Sequence, residues 1–301
     1  MKRVRLTKVH EALPFLATAV VLLSMTSRLS AQSNLWLQFE ADRPYLNPIS
    51  NGKIADQPFD QYQIPATPDN SNDGMASGGS TIIYTNVIAN GIIRDGLTGQ
   101  NYTNNFSLYF PALENEILTY NENHGQVRPR NTSWSVETYF RADNSMTNFQ
   151  KLFVKSSGVG STVFNAQFNT NGKLLFSIRD TDGTENPVNL SSLSALNDDQ
   201  WHQFAATLDK PSNTLRVYVD GVLNDSTTTF TGGNGILEDI NVVIGISSGT
   251  IAAQRYKGFI DDFRFVSGMA LSPGQFIVPE PTSCALLLGS AAVFWLRRRS
   301  K

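Results

Sequence analysis

The feature that most limits this chain is alternation with a period of two. Trp134, Val136 and Phe140 fall on one face against Ser133, Ser135 and Glu137, and Leu174, Phe176 and Ile178 oppose Leu175, Ser177 and Arg179. His202, Phe204, Ala206 and Leu208 alternate with Trp201, Gln203, Ala205 and Thr207, and Leu215, Val217 and Val219 with Arg216 and Tyr218. A strand sends successive side chains to opposite faces, so this spacing predicts half-buried strands. Further strands are expected at Leu35 to Phe39, Thr81 to Ile88, Phe106 to Phe110, Lys151 to Lys155, Val163 to Phe168, Asn241 to Gly245 and Phe259 to Val266. Asn171-Gly172, Asp182-Gly183 and Asp220-Gly221 sit at strand ends, where these pairs supply the positive φ angles of hairpin turns. Many short strands joined in this way predict an all-β, two-sheet antiparallel β-sandwich of jelly-roll type. Residues 42–80, rich in Pro, Gly, Asn and Asp, read as a long surface loop region. No repeat and no clear linker divides the body, so one domain is expected over residues 32–275.

Both ends stand apart from that pattern. Lys2, Arg3, Arg5 and Lys8 precede an apolar stretch from Ala12 to Met25 and a polar segment ending at a small residue, as in a secretory signal peptide over residues 1–31. Cleavage is expected after Ala31, and a cut after Ser33 would place Ala31 at the minus-three position. At the other end Val278, Pro279, Glu280 and Pro281 lead into an apolar run from Ser283 to Leu296, followed by Arg297, Arg298, Arg299 and Lys301. As a helix this 14-residue run covers roughly 21 Å, short of the ~30 Å hydrocarbon core, although flanking arginines can snorkel and the bilayer can thin. The arginines place the C-terminus in the cytoplasm by the positive-inside rule, and the body on the far side. Together the motif, span and basic end over residues 278–301 resemble a PEP-CTERM sorting tail. That resemblance implies an exosortase-type transpeptidase as partner, a transient tether in the inner membrane through a short transmembrane helix at 283–296, and a final place at the cell surface or in the extracellular matrix.

Setting the two ends aside uncovers the charge of the body. The whole chain is near neutral at −2, but residues 32–279 carry 15 basic against 24 acidic side chains, a net of −9. No basic stripe is left for a phosphate backbone, which argues against a nucleic-acid partner. The single cysteine, Cys284, lies in the apolar tail, so the body has no disulfide and no cysteine ligand or nucleophile. Its 248 residues must hold together by core burial alone.

Five segments resemble, in order and spacing, a laminin-G-like, concanavalin-A-like jelly roll: NFSLYF (105–110), SWSVETYFR (133–141), WHQFAATLD (201–209), LRVYVDGVL (215–223) and GFIDDFRFVSGMALSP (258–273), with LWLQFEAD (35–42) as the opening edge. The resemblance implies a sandwich of two curved sheets that binds glycan or protein. Some such domains bind calcium, and the candidate ligands here are Asp261 and Asp262. Strict alternation puts Asp261 on the face of Phe259, Phe263 and Phe265, so its carboxylate needs a partner, a cation or a bulge that re-aims it. His202 reads as a structural feature of a strand start, since two body histidines without cysteine make a poor zinc site. Trp36, Trp134 and Trp201 are candidates for a sugar-stacking face, with core packing as the commoner role of strand aromatics.

Glucanases of the same sandwich carry E-x-D-x-x-E on one strand, because retaining hydrolysis needs two carboxyl groups about 5 Å apart. Here Glu137 is followed by Tyr139 where the pattern needs Asp, Glu238-Asp239 lacks the spacing, and no G-x-S-x-G elbow, zinc motif or phosphate loop occurs. The expectation is therefore an exported protein without catalysis that binds extracellular polysaccharide or another envelope component. The alternatives are a structural surface protein without a specific ligand, and a glycan-active enzyme of the same fold.

Overall fold

The computed structural model describes residues 32–37, 53–54, 74–77, 83–85, 87–89, 91–104, 107–112, 117–120, 132–146, 149–156, 162–179, 188–228, 242–245 and 255–279. The signal segment ending at Ala31, the Asp182-Gly183 turn, Glu280, Pro281, the apolar run and Arg297, Arg298 and Arg299 lie outside the described residues. The strands are β1 (Gln32–Leu37), β2 (Lys53–Ile54), β3 (Gly74–Ser77), β4 (Ile83–Thr85), β5 (Ile92–Asp95), β6 (Asn101–Thr103), β7 (Ser107–Phe110), β8 (Ile117–Tyr120), β9 (Trp134–Ala142), β10 (Lys151–Ser156), β11 (Thr162–Phe168), β12 (Leu174–Ile178), β13 (Val188–Ser191), β14 (Trp201–Asp209), β15 (Thr214–Val219), β16 (Val222–Thr227), β17 (Val242–Ile244), β18 (Gly258–Ser267) and β19 (Ile277–Pro279).

They form two large antiparallel sheets and a small one. The first runs β16-β15-β14-β9-β18-β7-β4, with β1 added beside β18, and the second runs β13-β12-β11-β10-β17-β8-β3-β2. β18 organises the first sheet: one edge pairs with β9, while the other pairs with β7 through residues 258–260 and with β1 through residues 263–267. The region 42–80 is more than a surface loop, because β2 and β3 extend the second sheet beyond β8. The third sheet, β19-β5-β6, lies on the outer face of the first, where Tyr139 of β9 packs with Ile93 of β5 and Ile277 of β19.

Between the large sheets the alternating residues meet as expected. Trp134, Val136 and Phe140 of β9, Phe204, Ala206 and Leu208 of β14, Leu215 and Val217 of β15, and Leu174, Phe176 and Ile178 of β12 are buried in one core. Trp134, Phe164 and Phe265 pack as a triad of near-parallel rings with centroids 6.1 to 6.3 Å apart. Burying an aromatic or aliphatic side chain of this size stabilises by about 1.5–3 kcal/mol, so a core of this kind holds a domain that has no disulfide.

Turn chemistry closes the hairpins in two different ways. Asp220 and Gly221 take φ of 50° and 73°, the tight two-residue turn expected between β15 and β16. Asn171-Gly172 forms a longer turn: Gly172 N–H bonds to Asn169 O, and the Asn169 carboxamide oxygen accepts from the Asn171 and Lys173 amides at 2.9 and 3.1 Å. His202 fastens the first of these turns to the chain before β14. Its Nδ1 lies 2.8 Å from Asp220 and its Nε2 3.1 Å from Asp198. The hydrogen bond to Asp220 raises the imidazole above its ordinary value against the opposing effect of burial, and Asp198 adds to the rise. Burial alone would raise the Asp220 carboxyl, but His202 and the Gln203 amide hold it below the usual carboxylate range.

The outward residues of β9 and β18 are the main departure from simple alternation. Glu137 was expected on a solvent face but is 1% exposed, as are Arg264 and Asp95. Arg264 Nε donates to Glu137 Oε1 at 2.6 Å, Nη1 to Asp95 Oδ1 at 2.6 Å and Nη2 to the Gln275 carbonyl at 2.9 Å. Glu137 Oε2 accepts from the Ile277 amide at 2.9 Å and from Gln203 Nε2 at 3.1 Å, and the Tyr139 hydroxyl donates to the Ile277 carbonyl. Burial raises the Glu137 carboxyl above its ordinary value, opposed by Arg264. Burial also works against charge on Arg264, yet Glu137 and Asp95 outweigh it and hold the guanidinium ionised. Each of these groups that meets the Glu137 oxygens is a donor, so the arrangement accommodates the carboxylate.

Two outcomes follow for stability. Arg264→Met leaves two carboxylates buried without their cation and is expected to lower unfolding free energy by about 3–5 kcal/mol, read from the urea midpoint at unchanged slope. For His202 the folded value lies above the unfolded ~6.5, so its contribution is complete below that pH and is lost as pH rises through the raised value. Urea titrations across that interval should show falling stability in the parent protein, and His202→Gln should flatten that part of the profile.

Candidate functional site

The outer face of the first sheet is roofed unevenly. Register places Thr207, Ser135 and Val266 in one row across β14, β9 and β18, then Ala205, Glu137 and Arg264, then Gln203, Tyr139 and Asp261, and finally Trp201, Arg141 and Phe259. The chain after β18 lies over the first three. Ser135 Oγ donates to Met269 O and accepts from the Leu271 amide, Leu271 and Phe276 pack on Ala205, Tyr218 and Val266, and Ile277 sits on Glu137 and Tyr139. The fourth row lies at the margin of that roof and is half-buried.

Pairing with β7 extends this row to Tyr109, giving Trp201, Arg141, Phe259 and Tyr109 side by side on four neighbouring strands. At the usual strand spacing of ~4.8 Å the row spans about 14 Å. The Tyr109 and Phe259 rings lie 4.8 Å apart, Trp201 and Phe259 6.1 Å apart, and the Arg141 guanidinium carbon stands 5.4 Å over the Phe259 ring. Trp201 is braced from the roof side by the cluster of Ile93, Tyr139 and Ile277, against which Tyr102 also packs. Gly258 permits close backbone approach beneath the row: it has φ of 140°, and a Cβ there would meet the Arg141 carbonyl at 2.1 Å. On the far rim Lys257 pairs with Asp143 at 3.0 Å. The hydrogen bond to Asp143 holds the Lys257 ammonium above its ordinary value, with Tyr109 and Asp199 close enough to add to the rise. The arrangement offers apolar ring faces flanked by hydrogen-bonding and charged groups.

The candidate residues from sequence fall in different places. Trp134 belongs to the core, Trp201 to the half-buried row, and Trp36 to β1, its side chain outside the described residues. Phe263 and Phe265 do not share the face of Asp261. A bulge between Asp261 and Arg264, with Asp262 at φ 48°, shifts the phase so that Ile260, Phe263 and Phe265 point into the core while Phe259, Asp261 and Arg264 point outward. Asp261 lies under the roof, accepting from the Asn104 carboxamide at 2.8 Å, and its carbonyl takes the Thr138 hydroxyl at 2.9 Å. Calcium takes about six to eight oxygen ligands. Among the described residues no group of three or more His, Cys, Asp or Glu side chains is gathered, so they supply no further carboxylate or imidazole ligand beside Asp261 and Asp262. Val278 and Pro279, read as the start of the sorting motif, are residues of β19 paired with Arg94 and Ile93.

Arg141 and Tyr109 were not singled out from sequence. The usable signal was register: the segments ending at Arg141, beginning at Trp201, opening on Gly258 and closing on Phe110 all contribute to one end of the sheet.

Comparison with known proteins fits this architecture. The chain resembles the binding domain of botulinum neurotoxin serotype G at 13% identity and a TM-score of 0.52, over 80% of this chain and 49% of that one. It resembles the binding domain of botulinum neurotoxin serotype D at 14% identity and a TM-score of 0.52, over 81% of this chain and 49% of that one. It thus spans about half the length of these neurotoxin domains. Domain 4 of AbnA, a GH43 extracellular arabinanase from Geobacillus stearothermophilus solved with arabinotriose, is 17% identical with a TM-score of 0.49, over 69% of this chain and 88% of that one. No curated protein matches the sequence. The sequence pattern of the laminin G type within the concanavalin A-like lectin/glucanases superfamily matches residues 118–275, from β8 to the turn before β19, and the chain belongs to that superfamily.

Proposed function

We propose that this protein is an exported, non-catalytic binding module that holds extracellular polysaccharide on the outer face of its first sheet, along the row Trp201, Arg141, Phe259 and Tyr109. The observation that carries the reading is the row itself. Side chains that could have been buried by the roof are instead left half-buried at its edge, and aromatic faces in line suit the apolar faces of pyranose rings. The fold supports a binding role, since the neurotoxin domains that share it are binding domains of their own proteins.

The reading as a non-enzyme is supported by the fate of Glu137. Its oxygens are committed to Arg264, Gln203 and the Ile277 amide beneath the roof, whereas a hydrolytic pair must flank a substrate bond within reach. Export through the signal segment, sorting by the Pro279-Glu280-Pro281 tail, an exosortase-type partner and delivery to the cell surface or matrix complete the proposal, supported by the order of motif, apolar run and arginines.

Two measurements test it. A polysaccharide panel presented to the full chain should give binding that Trp201→Ala and Phe259→Ala each weaken about tenfold, the equivalent of ~1.4 kcal/mol for one lost ring contact, with thermal unfolding confirming that both variants fold. Binding unaffected by either change, or none across the panel, would remove this face from consideration. The mass of the mature protein from its own cells should lack the apolar run beyond Pro279 to Pro281, and full-length protein retained in the inner membrane would contradict the sorting model.

A further inference from the structure

We infer that the polysaccharide is acidic, and that Arg141 selects it by pairing with the carboxylate of a uronic acid unit. The inference rests on the glycan-binding reading and deepens it. Charged side chains around this face are otherwise accounted for: Lys257 pairs with Asp143, Arg264 with Glu137 and Asp95, and His202 with Asp198 and Asp220. Arg141 differs. Among the described residues its guanidinium has the Phe259 ring contact and no ion pair, and its Nε is buried with no hydrogen-bond acceptor.

A half-buried guanidinium without an anion is an unusual arrangement in a body that carries a net charge of −9, where carboxylates are plentiful. The buried Nε is a standing cost of this placement, and a ligand oxygen meets the guanidinium through its two terminal nitrogens. The guanidinium is a planar fork whose shape matches a carboxylate in two parallel bonds, and such charge-assisted pairs are among the stronger hydrogen bonds. Arg141 lies between Trp201 on β14 and Phe259 on β18, so a sugar ring seated on either aromatic would carry a ring carboxylate toward it. The chemistry is that of a glycan whose stacking faces and anionic groups repeat along one line.

The test compares one polymer in two forms, polygalacturonate and its methyl ester, using the full chain and titration calorimetry at low and moderate salt. The parent protein should bind the free acid roughly ten- to a hundredfold more tightly than the ester, with the difference shrinking as salt rises. Arg141→Gln should bring that ratio close to one, Arg141→Lys should restore part of it, and Trp201→Ala should weaken both forms together. A parent that binds acid and ester equally, or a ratio that survives in Arg141→Gln, would overturn the inference while leaving the glycan reading in place. A sulfated polymer without carboxylates bound as tightly as the free acid would overturn the carboxylate assignment in favour of charge alone. Binding of neither form, alongside binding of other members of the panel, would overturn the acidic ligand; silence across the panel would overturn both readings.

Discussion

The architecture outside the core depends on one buried cation. Arg264 reaches from β18 to Glu137 on β9, Asp95 on β5 and the backbone at Gln275, and so joins the first sheet, the third sheet and the returning chain at a single point. A buried ion pair stabilises little relative to a well-packed apolar cluster, but it tolerates few alternatives, because each misplacement strands a charge away from water. Here it determines where the segment from Met269 to Pro279 must lie. Leu271, Phe276 and Ile277 then cover rows of the sheet that would otherwise face solvent.

That roof creates the candidate site by stopping short. The rows through Ser135, Glu137 and Tyr139 are sealed, while the row through Arg141 is left half-buried, with Trp201 and Tyr102 packed against the roof's edge. The same segment that closes the sheet is the one from which the C-terminal tail departs. β19 begins at Ile277, held on both its amide and carbonyl, and Val278 and Pro279 continue it against β5. The motif read as a sorting signal therefore starts inside a paired strand.

The bulge at Asp262 shows how local backbone geometry decides chemistry. One inserted step turns Phe263 and Phe265 into the core and Arg264 outward, where regular alternation from Phe259 would have sent the phenylalanines out and the arginine in. The Asp261 carboxylate is consequently held by Asn104 within the roofed region, and its backbone carbonyl by the Thr138 hydroxyl.

Alternation and turn residues were sufficient to read the sandwich, the core faces of β9, β12, β14 and β15, and the Asp220-Gly221 hairpin, because period and positive φ are local properties of the chain. Short strands such as β5, β6 and β19 left no such signal, and with them went the reason that Glu137, Asp95 and Arg264 are buried. The row of Trp201, Arg141, Phe259 and Tyr109 assembles from four segments, the most distant of them 150 positions apart from Tyr109 to Phe259. Strand order and register alone bring them together. By itself the sequence determined the class of fold, the absence of disulfides in the body and the charge it presents. Only the tertiary structure decided which outward residues are covered, since burial of an outward face depends on what packs over it and not on the strand's own period.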